Sequence, residues 1–532
     1  MFARMMNMGS LTMSPASQLP VTNPRTAFCS GLPSKMMLPC IHHGRTAPRR
    51  IDAPLAVVCL LLALSGCASV GPNATPPNPV AVPSAWSVTD ATAPAGSASL
   101  AQWWLRFDDA LLASLITQSQ QANTSVRSAQ AALRQARAQR DVSAAALYPD
   151  LGGSASAQRS KAGDSASADT FRVGLDASWE LDVFGVNRSA LNADDATARA
   201  SAASLGDVQV SIAAEVALNY IALRGAQLRL AIAEANLASQ LETLQITQWR
   251  LQAGLVTSLE AEQARGAAEQ TRAQLPLLQT TVEQTRHALA VLTGQPPAAL
   301  AQILAASGPV PQAAPDLALD IPAETLRQRP DVRNAELLVT AAMARVDQAN
   351  AARLPNFRLG GSLGLAGITL DALTSSAALV RTLIASVSVP LFDGGGLRAQ
   401  VRAQQAALDK AGVTYEAAVL TALKDVEDAL IALRNDRIRL VNLRNAADAA
   451  ANAALLARQR YESGLVDFQV VLETQRTQLS TQDSVANASA TLGSDHVRLY
   501  KALGGGWRAE GGEAASAAYA SSITEVTRNS QP

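Results

Sequence analysis

One stretch of the chain, residues 171–183, has the sequence Phe-Arg-Val-Gly-Leu-Asp-Ala-Ser-Trp-Glu-Leu-Asp-Val. Apolar and polar side chains alternate without a break, and a period of two places them on opposite faces of a β-strand. The stretch is longer than the roughly 9–11 residues that a strand needs to cross a membrane. Because its polar face carries Arg172, Asp176 and Glu180, we interpret it as a membrane-crossing strand. The alternative is a half-buried strand of a small soluble sheet.

Three further stretches alternate in a similar way, less regularly: Leu151 to Gln158, Phe357 to Leu365, and Leu383 to Phe392. Four strands cannot close a barrel in lipid, because an open edge leaves backbone groups unsatisfied and membrane barrels have roughly eight strands or more. Two chains would supply eight strands and three would supply twelve. Since barrels of about eight strands are filled by side chains, a conduit favours the larger number. The sequence therefore predicts a homotrimer with a 12-stranded antiparallel β-barrel.

The chain contains an internal duplication. Val126-Arg127-Ser128-Ala129 matches Val332-Arg333-Asn334-Ala335 at an offset of 206 residues, and Gly254-Leu255-Val256 matches Gly464-Leu465-Val466 at an offset of 210. Between these points the offset drifts in steps of two, which keeps the same side chains on the same face of any strand inside the repeat. We predict structural repeat 1 at 101–300, a Pro- and Ala-rich linker at 301–323, and structural repeat 2 at 324–508.

Each repeat also predicts long helices. The stretches Asn187–Arg250 and Gly394–Arg460 contain no proline, and in the second an apolar residue recurs every seven positions at Val419, Val426, Leu433 and Leu440, as in a coiled coil. At about 1.5 Å per residue, each helix would be roughly 100 Å long. Helices of this length do not fit within a compact domain. Each long helix is expected to meet a Gly-Leu-Val turn and a return helix. The remaining predicted helices are Ser258–Leu292, Asp467–Leu503, and opening helices at about Asp109–Leu147 and Ala323–Leu354.

Residues 1–66 are predicted to be an export signal with an over-long N-terminal extension, translation starting at Met36 or Met37. Basic residues precede an apolar run at 55–64 that is too short for a bilayer, which takes about 20 residues. The run ends in Leu64-Ser65-Gly66-Cys67, which resembles a bacterial lipobox. Cys67 is therefore predicted to carry a covalent lipid, and Ala68 after it indicates the outer membrane. The alternative is a plain secretory signal with a chance cysteine.

Residues 67–100 are rich in proline and are predicted to be an extended tether that forms no core, and 509–532 a disordered tail. The composition excludes several function classes. Lys+Arg 44 balances Asp+Glu 44, so no basic surface for nucleic acid is expected. All four cysteines lie in the first 67 residues, and beyond them only His287 and His496 remain, both expected on helix surfaces. We therefore predict no catalytic site, no metal site, no cofactor beyond the lipid, and no enzyme activity.

Several motifs, in order along the chain, resemble those of the outer-membrane factor family of tripartite efflux pumps, the TolC-like channels, specifically the lipoprotein branch. They are Trp103-Trp104 with Phe107-Asp108-Asp109, Arg329-Pro330-Asp331-Val332 with Ala335-Glu336, Pro390-Leu391-Phe392-Asp393-Gly394-Gly395, Arg460-Tyr461-Glu462-Ser463-Gly464, and Tyr500-Lys501-Ala502-Leu503-Gly504-Gly505-Gly506-Trp507. The resemblance implies a mainly α protein with transmembrane β: a trimeric 12-stranded β-barrel continuous with a long periplasmic α-helical barrel. It also implies passive export of small molecules from a periplasmic adaptor and an inner-membrane pump of the resistance-nodulation-division type.

The resemblance also implies site residues. The two turns, Gly254-Leu255-Val256 and Gly464-Leu465-Val466, correspond to the periplasmic tips that meet the adaptor. Glu473, where Asp is usual, corresponds to an acidic ring at the closed periplasmic constriction, and Asp467 lies six residues earlier. Two other functions stay open: the outer channel of a type I protein-secretion system, and a non-conducting periplasmic coiled-coil adaptor lipoprotein.

Overall fold

One antiparallel sheet and two long helical hairpins make up most of the protein. The computed structural model describes residues 82–86, 100–313, 326 and 329–507. The chain divides into two units, Met1–Ala68 and Ser69–Pro532, and all described residues belong to the second. The predicted export signal, Cys67 and the tail at 509–532 lie outside the described residues.

The sheet contains four strands in the order β1-β2-β3-β4. Their bounds are Asp150–Ser160 for β1, Ala168–Leu181 for β2, Asn356–Gly367 for β3 and Leu379–Ser388 for β4. Each alternating stretch therefore contributes to a strand, but β4 begins four residues before the predicted stretch 383–392 and ends four residues before its end, because Pro390 has no amide to donate. Strands β2 and β3 belong to different repeats, and pairing Leu175 with Leu363 joins the repeats in one register.

The described helices repeat in length as well as in order. After a 3-10 helix at Leu100–Phe107, the first repeat has α1 (Ala110–Ala122), α2 (Thr124–Ala145), α3 (Val186–Gln252) and α4 (Ser258–Leu292), and the second has α5 (Pro330–Ala351), α6 (Gly396–Glu462) and α7 (Phe468–Ala502). Helices α3 and α6 have 67 residues each, and α4 and α7 have 35 each. Because 67 residues rise by about 100 Å, the predicted helix length is confirmed.

The seven-residue pattern of α6 is a packing seam. Val419, Val426, Leu433 and Leu440 are all buried, and the last three share an apolar cluster with Leu492 and Leu499 of α7. The period of seven keeps Val426, Leu433 and Leu440 facing the return helix α7. The low aromatic content of the chain follows from this packing, since closely spaced helices bury small residues such as Ala422 and Ala429.

The predicted opening helix Asp109–Leu147 is wrong in one respect, because Asn123 divides it into α1 and α2. The backbone of Asn123 is extended at ψ 136°, and its Oδ1 accepts hydrogen bonds from the amides of Ser125 and Val126. Its Nδ2 donates to the carbonyl of Leu292 at 2.8 Å. Asn favours such a cap because its side chain competes with the helical backbone, and here it also ties the start of α2 to the end of α4.

An aromatic cluster joins the two repeats where α1, α3 and α7 meet. Trp103 stacks on Tyr500 with ring centroids 5.3 Å apart, and Phe107 meets Tyr500 edge-on. Tyr220 donates from its hydroxyl to Oδ2 of Asp109 at 2.9 Å. Burial, together with Asp109, raises the pKa of Tyr220 to about 12. Trp103, Tyr220 and Tyr500 are fully buried, so this cluster fixes the first repeat against the end of the second.

Two segments that the sequence predicts as connections contribute to the core. Leu304 and Val310 of the predicted linker are buried in the same apolar cluster as Trp103, because Pro- and Ala-rich sequence does not prevent isolated large side chains from packing. Trp86, in the predicted tether, is buried against Leu433 and other α6 and α7 residues. The expectation that residues 67–100 form no core is therefore wrong at Trp86.

No helix among the described residues is both long enough and apolar enough to cross a membrane.

Candidate functional site

The two hairpin tips have the same backbone structure. At the first, Gly254 has φ 72°, its amide donates to the carbonyl of Leu251, and the amide of Leu255 donates to Arg250. At the second, Gly464 has φ 73° with the equivalent bonds to Tyr461 and Arg460. These paired bonds form a Schellman motif, in which glycine supplies the left-handed conformation that ends the helix. The predicted position of both glycines is confirmed.

Within each tip the leucine and the valine differ in exposure. Leu255 and Leu465 are each 74% exposed, whereas Val256 and Val466 are half-buried. Val466 packs against an apolar cluster that contains Tyr461 and Phe468. The valines therefore support the turns, and the leucines form two exposed apolar points at one end of the molecule.

Polar contacts tie the two hairpins together beside the tips. Arg250 of α3 donates to the carbonyls of Tyr461 and Glu462 at 3.0 and 2.7 Å, and its guanidinium lies 4.5 Å from the centre of the Tyr461 ring. Arg458 of α6 bonds Glu242 of α3 at 2.6 Å. Each contact joins one repeat to the other, so the tips are held in a fixed relation within a protomer.

The two predicted gate carboxylates lie near the second tip. Asp467 precedes α7 and makes no side-chain cap bond, and both Asp467 and Glu473 are exposed. In the same turns, Leu472 and Gln475 are buried, and Nε2 of Gln475 donates to Thr243 of α3 at 3.0 Å. Since α7 turns these residues toward the first hairpin, Glu473 lies on the part of the helix that the protomer leaves uncovered.

The sheet has one apolar and one polar face, and the described residues cover neither. On the apolar face Val173 and Leu175 of β2 pair with Leu365 and Leu363 of β3, all 37–51% exposed. On the other face Asp176 pairs with Ser362, which pairs with Thr382. A soluble sheet would bury its apolar side chains, so the exposed face favours lipid over the alternative of a small soluble sheet.

Arg329 is a buried charged centre where the repeats end. It donates from Nη1 to the carbonyl of Ala502 at 2.8 Å, from Nε and Nη2 to both oxygens of Asp331, and from Nη2 to Asp425 at 3.3 Å. Burial opposes its ionisation, but the two carboxylates outweigh it and raise the pKa of Arg329. In turn, although burial disfavours the carboxylate, Arg329 lowers the pKa of Asp331. The guanidinium thus joins the start of α5, the end of α7 and the middle of α6.

A second charged centre lies between α6 and α7. Asp495 is 1% exposed and accepts from Arg498 at 2.6 Å. Its buried Oδ2 receives no bond from any donor in the described part of the chain. Burial first, and then the Asp436 carboxylate, raise the pKa of Asp495 to about 6. A buried carboxylate with one unpaired oxygen and a second carboxylate nearby is costly to ionise, so the neutral form of Asp495 is favoured.

The expectation that His496 lies on a helix surface is wrong, whereas His287 is exposed as expected. Arg437 donates to Nε2 of His496 at 3.3 Å, which leaves Nδ1 to donate to the carbonyl of Leu492 at 2.9 Å. Burial, with the charges of Arg437 and Arg106, lowers the pKa of His496. A neutral imidazole with both nitrogens bonded can be buried without an unpaired charge. The helical pattern of the sequence does not show these bonds, so it predicted a surface position for His496.

The Asp495 carboxyl group should make the protein less stable as pH rises. Its pKa in the folded state is raised to about 6 from the ordinary aspartate value of 3.8, so the folded protein binds the proton more tightly. The contribution of Asp495 to stability therefore falls as pH rises from about 4 through about 6. Asp495→Asn is neutral at every pH and should remove this component. Thermal unfolding followed across pH checks it: the variant should lose less stability than the wild type over this range. Parallel pH profiles for the two proteins would contradict it.

No group of three or more His, Cys, Asp or Glu side chains within 100–313 and 329–507 is arranged to hold a metal ion. The sequence did not single out Arg250, Arg458 or Asp495. A signal for the first two was present, since each precedes a helix-ending glycine by four to six residues.

Comparisons with known proteins agree with this geometry. The family model described as outer membrane efflux protein matches residues 115–295 and 321–505, one match on each repeat. The nodulation protein T of Rhizobium leguminosarum bv. viciae is 31% identical over 478 residues, which covers 90% of this chain and 98% of that protein. The toluene efflux pump outer membrane protein TtgI of Pseudomonas putida is 32% identical over 413 residues, 75% of this chain and 86% of that protein.

A solved structure has the same fold. The outer-membrane channel OprN superposes with a TM-score of 0.78 at 36% identity, covering 83% of this chain and all of that one. The match covers most of this chain, so the predicted fold class is confirmed. The chain belongs to the outer membrane efflux protein family and is an outer-membrane efflux channel that extends into the periplasm.

Proposed function

We propose that this channel exports small toxic compounds that an inner-membrane pump of the resistance-nodulation-division type delivers through a periplasmic adaptor. Members of the family are trimeric channels that work with adaptors and inner-membrane pumps, and the family is one of transport channels rather than enzymes. The observation that carries the proposal for this chain is the combination of two exposed tips with a membrane sheet at the other end of 67-residue helices. Energy must come from the pump.

Substrate class is tested in cells. Deleting the gene should raise the intracellular accumulation of a panel of toxic small molecules and dyes, and the intact gene supplied in trans should restore efflux. Accumulation of at least one compound class should rise severalfold in the deletion strain. Unchanged accumulation of every compound, together with loss of a secreted protein from the medium, would instead favour a protein-secretion channel.

The adaptor is proposed to dock on the tips Gly254-Leu255-Val256 and Gly464-Leu465-Val466. Exposed leucines on a rigid turn are suited to insertion into an apolar contact, because little conformational freedom is lost on binding. The two tips have the same Schellman geometry, so a trimer presents six similar points. This repeated pattern fits an adaptor that meets the channel with several similar copies.

The constriction is proposed to be formed by Glu473, with Asp467 near it. Both carboxylates are exposed and have no ion pair or hydrogen bond from their side chains among the described residues. In a trimer, three copies of Glu473 on the innermost helices would make an acidic ring, which attracts cations and excludes anions.

Removing the Glu473 carboxylate should reduce cation selectivity. In planar-bilayer recordings, Glu473→Ala should shift the reversal potential in a salt gradient toward the value of a non-selective pore, and Glu473→Gln should act in the same way at equal size. Glu269→Gln, an exposed glutamate on α4 paired with Arg272, is the control and should change nothing. Unaltered selectivity in both Glu473 variants would remove this residue from the gate.

Cys67 is proposed to carry the lipid that anchors the chain. The support is its lipobox sequence, Leu64-Ser65-Gly66-Cys67. Cells grown with radioactive palmitate should incorporate label into the wild-type protein and not into Cys67→Ala. Equal labelling of both proteins would exclude this cysteine as the acylation site.

A further inference from the structure

The two ends of the sheet are distinguished by what is attached to them. Helices α2 and α5 lead into the starts of β1 and β3, and α3 and α6 follow the ends of β2 and β4. In an antiparallel sheet these four points lie at one end, which is therefore the periplasmic end. The loops 161–167 and 368–378 lie at the opposite end, which faces the exterior.

Two arginines lie on the apolar face near the exterior end. Arg381 is the third residue of β4 and pairs with Leu363, and Arg159 is the second-last residue of β1 and pairs with Asp169. Because side chains alternate along a strand, Arg381 shares its face with Leu379 and Leu383. In a membrane barrel the apolar face points to lipid, so both cations lie on the lipid side of the wall.

The protein provides little compensation for these charges. Arg381 is exposed and has no hydrogen bond, ion pair or ring contact among the described residues. Arg159 has a single contact to Asp169, with Nε and Oδ1 3.5 Å apart, and its side chain stays 75% exposed. A cation on a lipid face is costly unless it reaches the polar headgroups or finds an anion there.

Closing the barrel brings the two arginines onto neighbouring strands. Strands β1 and β4 are the edges of the sheet in one protomer, so in a closed trimeric barrel β4 lies beside β1 of the next protomer. The apolar face of β1 carries Leu151, Gly153, Ala155 and Ala157 before Arg159. No carboxylate from β1 can therefore neutralise Arg381, and the small side chains leave space over the seam.

We propose that Arg381 and Arg159 of adjacent protomers form a binding site for the phosphate group of a lipid headgroup in the outer leaflet, at each of the three subunit seams. Guanidinium groups suit this ligand because they donate paired, charge-assisted hydrogen bonds to phosphate oxygens. The acyl chains of the same lipid cover the apolar face below, along Leu383, Leu359 and Val387. The site exists only in the assembled trimer, since each protomer supplies one of its two cations.

The test uses the full-length trimer in nanodiscs of phosphatidylcholine, with or without phosphatidic acid as a lipid that exposes a phosphate. After gentle extraction, native mass spectrometry counts the phosphatidic acid molecules retained per trimer. The wild type should retain it in preference to phosphatidylcholine, and Arg381→Leu and Arg159→Leu should each lower retention by about tenfold, the value of one charge-assisted hydrogen bond. Arg381→Lys should retain an intermediate amount.

Two controls separate a lipid site from other effects. Arg358→Gln removes an arginine from the polar face of β3, where it contacts Ser178, and should retain lipid as the wild type does. Inorganic phosphate added to the nanodiscs that contain phosphatidic acid should not lower the amount of phosphatidic acid retained. Folding is not at risk in Arg381→Leu, because leucine on a lipid face favours insertion. Equal retention by wild type and both Leu variants, or competition by inorganic phosphate as effective as by the lipid, would overturn the proposal.

Discussion

Replacing Leu255 and Leu465 together with Asp should abolish efflux and leave the trimer intact. Both leucines are 74% exposed in the protomer, so no packing within it is lost. Burying a leucine in an interface is worth about 1.5–3 kcal/mol, and the substituted carboxylate would add a desolvation cost. Affinity for the adaptor should fall on the order of 100-fold or more, and cells should accumulate pump substrates as a deletion strain does.

The control for this variant is Leu277→Asp, which makes the same change at a leucine on α4 that is 70% exposed and lies away from the tips. It should export normally. Direct binding of the adaptor to purified channel, measured together with trimer content, separates lost docking from lost assembly. Normal adaptor binding by the double tip variant would exclude the leucines as contacts.

Replacing Arg329 with Ala should destabilise the protein more than any surface change. The side chain is 9% exposed and bonds Asp331, Asp425 and the carbonyl of Ala502. Its removal leaves a half-buried carboxylate and a helix-terminal carbonyl without a donor, and breaking a buried ion pair on one side costs about 3–5 kcal/mol. Because Asp331 loses the partner that lowers its pKa, the variant should also lose the part of acid sensitivity that Asp331 contributes.

Arg329→Lys keeps the charge but not the paired geometry, so its loss of stability should be smaller. Arg140→Ala is the matched control, because the Arg140 side chain is 41% exposed and bonds only Asp141. Its free energy of unfolding should equal that of the wild type. Chemical denaturation at constant pH gives all three values. An Arg329→Ala variant as stable as Arg140→Ala would show that this centre adds nothing to stability.

Periodicity and duplication predicted most of the fold. The alternation at 171–183 and the seven-residue seam of α6 depend on local pattern alone, and both gave the correct element at nearly the correct bounds. The drift of the repeat offset in even steps predicted that equivalent strands keep the same side chains on one face, and Leu175 and its equivalent Leu383 do lie on the same face of the sheet. These features follow from the periods of the strand and the helix, which appear directly as the spacing of apolar residues in the sequence.

Features that depend on distant side chains were not predictable. Asn123 caps α2 through the amides of the next turn, which is a local preference of asparagine, but its bond to the carbonyl of Leu292 depends on the fold. His496 is buried because Arg437, 59 residues away, bonds its ring. Trp86 packs on α6 although its neighbours in sequence are typical of a tether. Each is a long-range contact between single residues, which periodic patterns do not contain.

The central claim is that copies of this chain assemble into a continuous conduit. Single-channel recording of the purified protein in a planar lipid bilayer tests it most directly, because a channel conducts ions and a non-conducting adaptor lipoprotein does not. The trimeric fraction should give discrete, cation-selective conductance steps. The cation selectivity of the Glu473→Ala channel should be lower than that of the wild type. A trimer that inserts in the bilayer and gives no steps under any applied voltage would contradict it.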